Sequence, residues 1–452
     1  MSFGIRAPGL RLALIDLFRR TQIRENLGPY LSSQWYSRDQ LESIQHDGLR
    51  AVLGFAGQYV PWYRRLGLTS DGGSENRDVL EVLRALPIVD KSHYRKDRDA
   101  FLPEKEPGEP VFTRKTGGST GDPFVYLVGS KAFSCQWAAL FRGWGWAGYR
   151  LGDPMVTLGG GSIASAGGRS LAQTAYNKLR RNLPLPAACI DSGILSEYGR
   201  RIHAFGPIMV YGYPGALYQM AVHLENEGFP VDGVRSVVTT SEMLYPGQRK
   251  ILERVFHAPV FDLYGCNEVN LITSECEFHN GLHVAMESSF VEVLDQNGTA
   301  VSPGETGRIV ATGLHNRAMM FIRYDTGDVG SLERSSCPCG RGLIRITSLE
   351  GRSRDLVITP DGKMVHGVAF NELVLKYPWI DRYQVIQVSK QRVVLNVAIT
   401  SEVGDEELNR LRCQVAQLCG LNVELVVNQP FELTSGLKAR VIINRLEGRG
   451  GS

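Results

Sequence analysis

Apolar residues recur with a helical period across residues 1–27, through Leu10, Leu12, Leu14, Ile15, Leu17 and Phe18. Arginines interrupt the run and no small-residue cleavage site follows it, so it reads as a helix packed on the body rather than a signal peptide. A loosely attached membrane-surface helix is the lesser reading. Ser37 and Gln40 form a capping box ahead of Leu41, Ile44, Leu49, Val52 and Leu53, which predicts a helix ending near Tyr59, before Pro61. The segment Leu86-Pro87-Ile88-Val89-Asp90-Lys91 is a proline-interrupted connection. Residues 112–126 read as strand, glycine-rich loop, strand, and 131–146 as an aromatic-rich helix. From there the pattern alternates. Short apolar strands are predicted at 155–158, 208–211, 237–240 and 260–264. Between them lie a Gly/Ala/Ser loop at 159–168 and helices at 171–181, at 216–227 and after Pro246. Such alternation predicts a largely parallel sheet covered on both faces, with ligands at the carboxyl ends of its strands. Strands at 290–295 and 307–314 around an Asn297-Gly298 turn then give an antiparallel texture. Beyond Gly351 the expectation is a hairpin at Asp361-Gly362, helices at 368–376 and 406–418, and strands at 393–399 and 423–427. The predicted fold class is α/β. A large N-terminal body of mixed sheets with covering helices spans 1–350, a small α+β C-terminal lid domain spans 351–452, and the hinge lies at 352–355.

Composition narrows the class. With 452 residues the chain exceeds one ordinary core. Its 43% hydrophobic and 21% charged residues are normal for a soluble enzyme, and a net charge of +3 argues against a dedicated nucleic-acid binder. No apolar stretch reaches the length of a membrane span. Eight cysteines without a secretory signal point to a reducing cytoplasm. Cys135 and Cys413 sit among apolar residues and read as buried thiols.

The candidate chemistry starts at Thr116-Gly117-Gly118-Ser119-Thr120-Gly121, followed by Asp122-Pro123. Glycines let backbone approach a ligand, and successive N–H groups and hydroxyls can wrap phosphate oxygens. The run lacks the Gly-Lys-Ser/Thr ending of P-loop nucleotidases. Four further motifs follow in order: Tyr264-Gly265-Cys266-Asn267-Glu268 and Arg323-Tyr324-Asp325-Thr326-Gly327-Asp328, each read as ending a strand, then Gly351-Arg352-Ser353-Arg354-Asp355 and Thr434-Ser435-Gly436-Leu437-Lys438. Singly these are ordinary turns and linkers. In this order and spacing they resemble the adenylate-forming superfamily of acyl-CoA synthetases and adenylation domains, in its phenylacetate–CoA ligase-like branch. Tyr59-Val60-Pro61-Trp62-Tyr63-Arg64 and Leu86-Pro87-Ile88 are similar to the same branch, and the resemblance covers essentially the whole chain.

That resemblance implies activation of a carboxylic acid, aryl or arylacetic by analogy, by MgATP to acyl-AMP and pyrophosphate, then transfer to the thiol of coenzyme A. It implies phosphate binding by Thr116, Gly117, Gly118, Ser119, Thr120 and Gly121, and a Mg²⁺-binding, catalytic Glu268. Asp328 and Arg352 are implied at the ribose and phosphates, and Ser241 and Glu242 on the adenine side. Tyr264, Gly265 and Asn267 also line the nucleotide. Lys438 would meet charge developing at the acyl–phosphate bond. Tyr211, Gly212, Tyr213 and Pro214, at a strand end, are candidates for the acyl pocket; a turn with core aromatics is the plainer reading. Trp137 and Trp144 at helical spacing read as core, and Lys178-Leu179-Arg180-Arg181 as a solvated helix face.

The chain departs from the family pattern in three places. Asn267 stands where a threonine is usual, and Arg354 where an acidic residue is common. The lysine comes one position later than an ungapped reading places it, at Leu437. In a strand such a slip would reverse the side chain, whereas a loop absorbs it.

A second constellation is Cys276, His283, Cys337 and Cys339. Three thiols and an imidazole suit tetrahedral Zn²⁺, with His279 a competing ligand. The alternative is three buried thiols and exposed histidines. Similar clusters in this branch imply structural zinc, as an insertion at 276–339. The expected partners are a small carboxylic acid, coenzyme A or a carrier protein, and a second copy in a homodimer, without nucleic acid or stable membrane insertion. Two other functions fit the motifs: an adenylating enzyme that passes the acyl group to an amine or carrier-protein thiol, and a non-catalytic zinc-stabilised nucleotide-binding scaffold.

Overall fold

The computed structural model describes residues 8–70, 78–116, 124–160, 171–187, 192–352, 356–361, 364–374, 376–399, 401–432 and 441–446. Gly117, Gly118, Ser119, Thr120, Gly121 and Lys438 lie outside the described residues, as do the expected loop at 161–168 and the hinge positions 353–355.

The first apolar run forms two helices, Pro8–Arg19 and Ile23–Ser33. They part at Thr21, where the Asp16 carboxylate accepts from the Thr21 hydroxyl and from the backbone amides of Ile23 and Arg24. Ser37 and Gln40 cap the helix Arg38–Tyr59 reciprocally. Its end at Tyr59 follows from Pro61, which opens the short helix Pro61–Arg65.

Strands β1 (Val111–Lys115) and β2 (Val125–Gly129) form an antiparallel hairpin. An eleven-stranded sheet organises the larger part of the chain. Its strands are β3 (Met155–Gly159), β4 (Asn182–Pro186), β5 (Met209–Gly212), β6 (Ser236–Thr240), β7 (Val260–Cys266), β8 (Leu271–Glu275), β9 (Leu282–Val284), β10 (Ser289–Leu294), β11 (Thr306–Gly313), β12 (Tyr324–Glu333) and β13 (Arg345–Arg352). The order is β10-β11-β12-β13-β9-β8-β7-β6-β5-β3-β4. Neighbours from β4 to β7 run parallel; β7 to β9 run antiparallel. The parallel strands are buried throughout at β3, β5 and β6, because helices cover both faces. Alternate residues divide between two cores. Val156, Leu158, Val210, Val237 and Val260 face one side; Met155, Met209, Tyr211, Val238, Phe261 and Leu263 face the other. Each such side chain contributes about 1.5–3 kcal/mol on burial.

Three elements differ from expectation. The Asp328 motif does not end a strand: β12 opens at Tyr324 and runs through it to Glu333. Strand β4 carries Pro184 and Pro186, which the sheet accepts because β4 is its outermost strand. The helix Ser192–Phe205 follows it, burying Leu195, Tyr198 and Ile202.

The chain divides into two compact units, the larger drawn from Met1–Gly118, Asp122–Thr326 and Ser331–Ser348, the smaller chiefly from Leu349–Ser452. In the smaller unit β14 (Leu356–Ile358) pairs antiparallel with β15 (Met364–His366). Strands β16 (Ile380–Ser389), β17 (Arg392–Ile399), β18 (Asn422–Val427) and β19 (Ile442–Asn444) form a second sheet in the order β18-β17-β16-β19. Phe370, Val385, Leu395, Leu411 and Val415 share its core. The helix Asp405–Cys419 turns Leu411, Val415 and Cys419 inward, which leaves Cys413 exposed rather than buried as expected; Cys135 is buried. Among the described residues no helix is long and apolar enough to cross a membrane.

Candidate active site and metal centre

Strand β7 ends at Cys266 and passes into a single 3₁₀ turn, Asn267–Val269, that carries Glu268. Glu268 is only 5% exposed. A carboxylate this buried needs hydrogen-bonding or charged partners to replace its hydration. The Tyr324 hydroxyl donates to its Oε1 at 3.3 Å, and the Lys91 ammonium lies 3.1 Å from the same oxygen. The Cys266 thiol points at Oε2 from 3.5 Å. The helix Ser130–Trp146 fixes both flanks: Gln136 donates to the Asn267 side-chain oxygen, and the Asn270 amide donates to Ala132 O at 3.0 Å. Asn267, the departure from the expected threonine, therefore serves as an acceptor from this helix.

Lys91 and Tyr324 reach Glu268 through one tether. Val89 bridges Tyr324, with Val89 N donating to Arg323 O at 3.0 Å and Asp325 N to Val89 O at 2.8 Å. Arg323 clamps the preceding residues, donating to Arg84 O and Leu86 O at 2.9 and 2.8 Å while pairing with buried Glu292 at 3.2 Å. Burial pushes the Glu292 carboxyl up, and the Arg323 charge opposes that. Breaking such a buried pair costs about 3–5 kcal/mol. Tyr324 is backed edge-on by Tyr94 and Phe321.

The described residues that flank the glycine-rich run are Thr116 and Phe124. Thr116 N donates to Phe124 O at 2.9 Å, so the ends of the run are hydrogen-bonded neighbours. Tyr126, two residues on in β2, lies beside Glu268, and burial together with that charge pushes its hydroxyl pKa up.

The other strand ends form a row. Gly212 closes β5, and a Cβ there would lie 2.2 Å from Leu158 O, so only glycine fits. Tyr213 N then donates to Leu158 O and Pro214 opens the next helix. Tyr211 and Tyr213 are both buried. Ser241, just past β6, takes φ +69°, a conformation that costs a non-glycine residue about 1–3 kcal/mol and gathers at functional sites. Glu242 accepts from Gly215 N at 3.1 Å, joining the ends of β5 and β6. Asp328 is half-buried in β12, and Arg352 is the last residue of β13.

Strand β7 itself rests on a buried acid. Asp262 accepts from the Thr239 hydroxyl at 2.6 Å, while its backbone N–H donates to Glu275, which Arg249 grips with two bonds of 2.8 and 3.0 Å. Burial pushes the Asp262 carboxyl up to about 6.

The second cluster assembles from the β8–β9 connection and the loop between β12 and β13. One ligand atom from each of Cys276, His283, Cys337 and Cys339 lies within 4.8 Å of the others. The Cys276 and Cys337 sulfurs are 3.8 Å apart, and the Cys339 sulfur is 3.3 Å from His283 Nε2. His283 Nδ1 faces Leu343 O at 3.4 Å, which leaves Nε2 to the cluster. His279 is not part of it; it pairs with Glu275 at 3.0 Å.

No family model matches the chain. Curated relatives do. A phenylacetate-coenzyme A ligase from Escherichia coli is 25% identical over 399 residues, spanning 85% of this chain and 87% of the relative. One from Thermus thermophilus is 24% identical over 377 residues, spanning 81% and 82%. Among solved structures, a 2-hydroxyisobutyryl-CoA ligase in the postadenylation state with 2-HIB-AMP superposes with a TM-score of 0.72 at 20% identity, covering 91% of this chain and 90% of that one. The chain is thus similar to phenylacetate–coenzyme A ligases over more than four-fifths of its length, and shares the fold of the 2-hydroxyisobutyryl-CoA ligase.

The motif residues Asn267, Glu268 and Tyr324 meet, and Tyr126, on the strand that follows the glycine-rich run in sequence, lies beside them. Sequence reading missed Lys91, Gln136 and Tyr126. Lys91 had a signal: it closes the proline-interrupted segment that resembled this branch. Arg180, expected on a solvated face, is buried against Trp137, its guanidinium carbon 4.8 Å from the ring centre; Lys178 and Arg181 are exposed as expected.

Asp262 gives a pH signature. Its folded-state pKa is raised, so its contribution to stability is fully present below the unfolded value near 4 and is lost as pH rises towards 6. Denaturant unfolding of Asp262→Asn should therefore gain on the parent between about pH 4 and 6, by up to about 3 kcal/mol. Parallel curves for the two proteins would mean that Asp262 is ionised throughout.

Proposed function

We propose that this enzyme joins a carboxylic acid to coenzyme A at the expense of ATP. A carboxylate oxygen attacks the α-phosphorus, and pyrophosphate leaves; the coenzyme A sulfur then attacks the acyl carbon, AMP leaves, and the thiol proton passes to solvent. The observation that carries the reading is the buried Glu268 carboxylate at the end of β7, beside the strand that leaves the glycine-rich run. Curated ligases matched over four-fifths of the chain agree with it.

Residue roles follow from chemistry. The run from Thr116 to Gly121 is assigned to the phosphates. Glu268 is assigned to Mg²⁺, and its Oε1 already seats a cation, the Lys91 ammonium. When bound, the metal neutralises phosphate charge. Asp328 is assigned to the ribose and Arg352 to the ribose or phosphates. Ser241 and Glu242 are assigned to the adenine side, which suits their place just past the end of β6. Tyr211, Gly212, Tyr213 and Pro214 are assigned to an aryl or arylacetic acid. Lys438 is assigned to the reacting phosphate, and residues 351–452 to a lid that moves between the half-reactions.

Cys276, His283, Cys337 and Cys339 fit structural zinc. A tetrahedral ion with Zn–S bonds of about 2.3 Å separates two sulfurs by about 3.8 Å, which is the spacing of Cys276 and Cys337. Four protein ligands leave no open position, so the ion would staple two loops rather than catalyse.

Carboxylate-dependent ATP–pyrophosphate exchange across a panel of aryl, arylacetic and hydroxy acids tests the reaction, with coenzyme A-dependent AMP release testing the acceptor. Exchange with at least one acid is expected, and silence across the panel would leave a nucleotide-binding scaffold. Lys438→Ala should lower exchange by about 10²–10³-fold; full activity would move that role to another residue. Metal analysis should find one zinc per chain, absent from Cys337→Ser/Cys339→Ser, whose unfolding midpoint should fall.

A further inference from the structure

The segment Leu86–Lys91 has a structural tether but no role in the reaction as described so far. Its last residue supplies one. Lys91 opens the short helix Lys91–Lys96, and its side chain, one-third exposed, crosses to a carboxylate that is almost wholly buried. The pair is asymmetric. The turn that carries Glu268 is held on both flanks by the Ser130–Trp146 helix, and Tyr324 donates to the carboxylate itself, whereas the Lys91 ammonium makes no further hydrogen bond or ion pair among the described residues. One partner is fixed, and the other hangs on a four-carbon stem with a path to solvent.

We propose that Lys91 is a built-in stand-in cation, which occupies Glu268 Oε1 until a divalent metal arrives and is displaced by that metal. The inference rests on the reading of Glu268 as the metal's carboxylate. The physical reason is charge. The Lys91 ammonium lies 3.1 Å from Glu268 Oε1, at the oxygen a hard cation would take. The metal needs that oxygen, and two cations cannot share it: their repulsion at such separations exceeds thermal energy even in a polar surface environment. Arrival of one therefore expels the other. Lys91 is thus a positioning residue that sets the threshold for metal entry, and Tyr324, which is neutral and donates to the same oxygen, holds the carboxylate in both states.

Mn²⁺ titration followed by electron paramagnetic resonance, on the full chain without ATP or acid, separates these roles. Lys91→Met should bind Mn²⁺ on the order of tenfold more tightly than the parent, because the competing charge is gone. Tyr324→Phe should bind within about threefold of the parent, since it removes a hydrogen bond but no charge. Adding Glu268→Gln to Lys91→Met should abolish the gained site. The proposal is overturned if Lys91→Met binds no more tightly than the parent, if Tyr324→Phe gains as much as Lys91→Met, if the gained site survives Glu268→Gln, or if no variant binds Mn²⁺ in the millimolar range. None of these outcomes depends on pyrophosphate exchange, so a failure here and a failure of the acid-activating reading are told apart.

Discussion

Everything at this site depends on supplying partners to one carboxylate where water hardly reaches it. Burying an ionised group costs several kcal/mol unless partners replace its hydration. Glu268 draws those partners from distant stretches of chain: Lys91 from an early connection, Tyr324 from the start of β12, and the flanking grip of Gln136 and Ala132 from the central helix. No local run of sequence could supply them. The tertiary fold therefore assembles these partners, and the Arg323 clamp on Arg84, Leu86 and Glu292 ties the segment before Lys91 to the strand of Tyr324.

The sheet explains why the carboxylate sits where it does. Parallel strands β3, β5 and β6 end in a row and hand their chains to helices or loops. At β7 the pattern breaks: the chain makes one tight turn and returns antiparallel as β8. The turn cannot leave the sheet edge, so its middle residue, Glu268, stays in the row of strand ends. The same return carries Cys276 to the far end of β8, where it meets the loop between β12 and β13. A closed ion at that point would fix the two segments on either side of the turn, and the observed gathering of four donors is the geometry such a staple requires.

What could be read from sequence divides along physical lines. The buried strands, the capping box at Ser37 and the proline-opened helix at Pro246 were legible because burial and capping leave local patterns. So was the grouping of three thiols with His283 over the competing His279. His279 lies in the β8–β9 connection and His283 in β9 itself, where the paired register of β9 and β13 sets His283 against Arg345. Strand β4 was illegible because its prolines forbid a central strand, and nothing local says that it lies at an edge. Cys413 misled because its apolar neighbours bury themselves at a helical period that excludes it. Arg180 misled in the opposite sense: a basic run looks solvated, yet aromatic faces of a neighbouring helix accept a guanidinium.

The identity of the cation at residue 91 follows the same logic. An arginine there would present a planar fork, grip both carboxylate oxygens and leave reluctantly. It would also crowd Oε2, which the Cys266 thiol approaches. An ammonium is a compact point charge, satisfied by one oxygen and by water once released. A group that must pair with a buried carboxylate for part of the cycle and vacate it for the rest therefore has to reach its oxygen and be simple enough to be replaced. Among side chains that remain cationic at neutral pH, lysine meets both conditions, and its anchorage through Val89 to the strand of Tyr324 keeps it within reach when the metal departs.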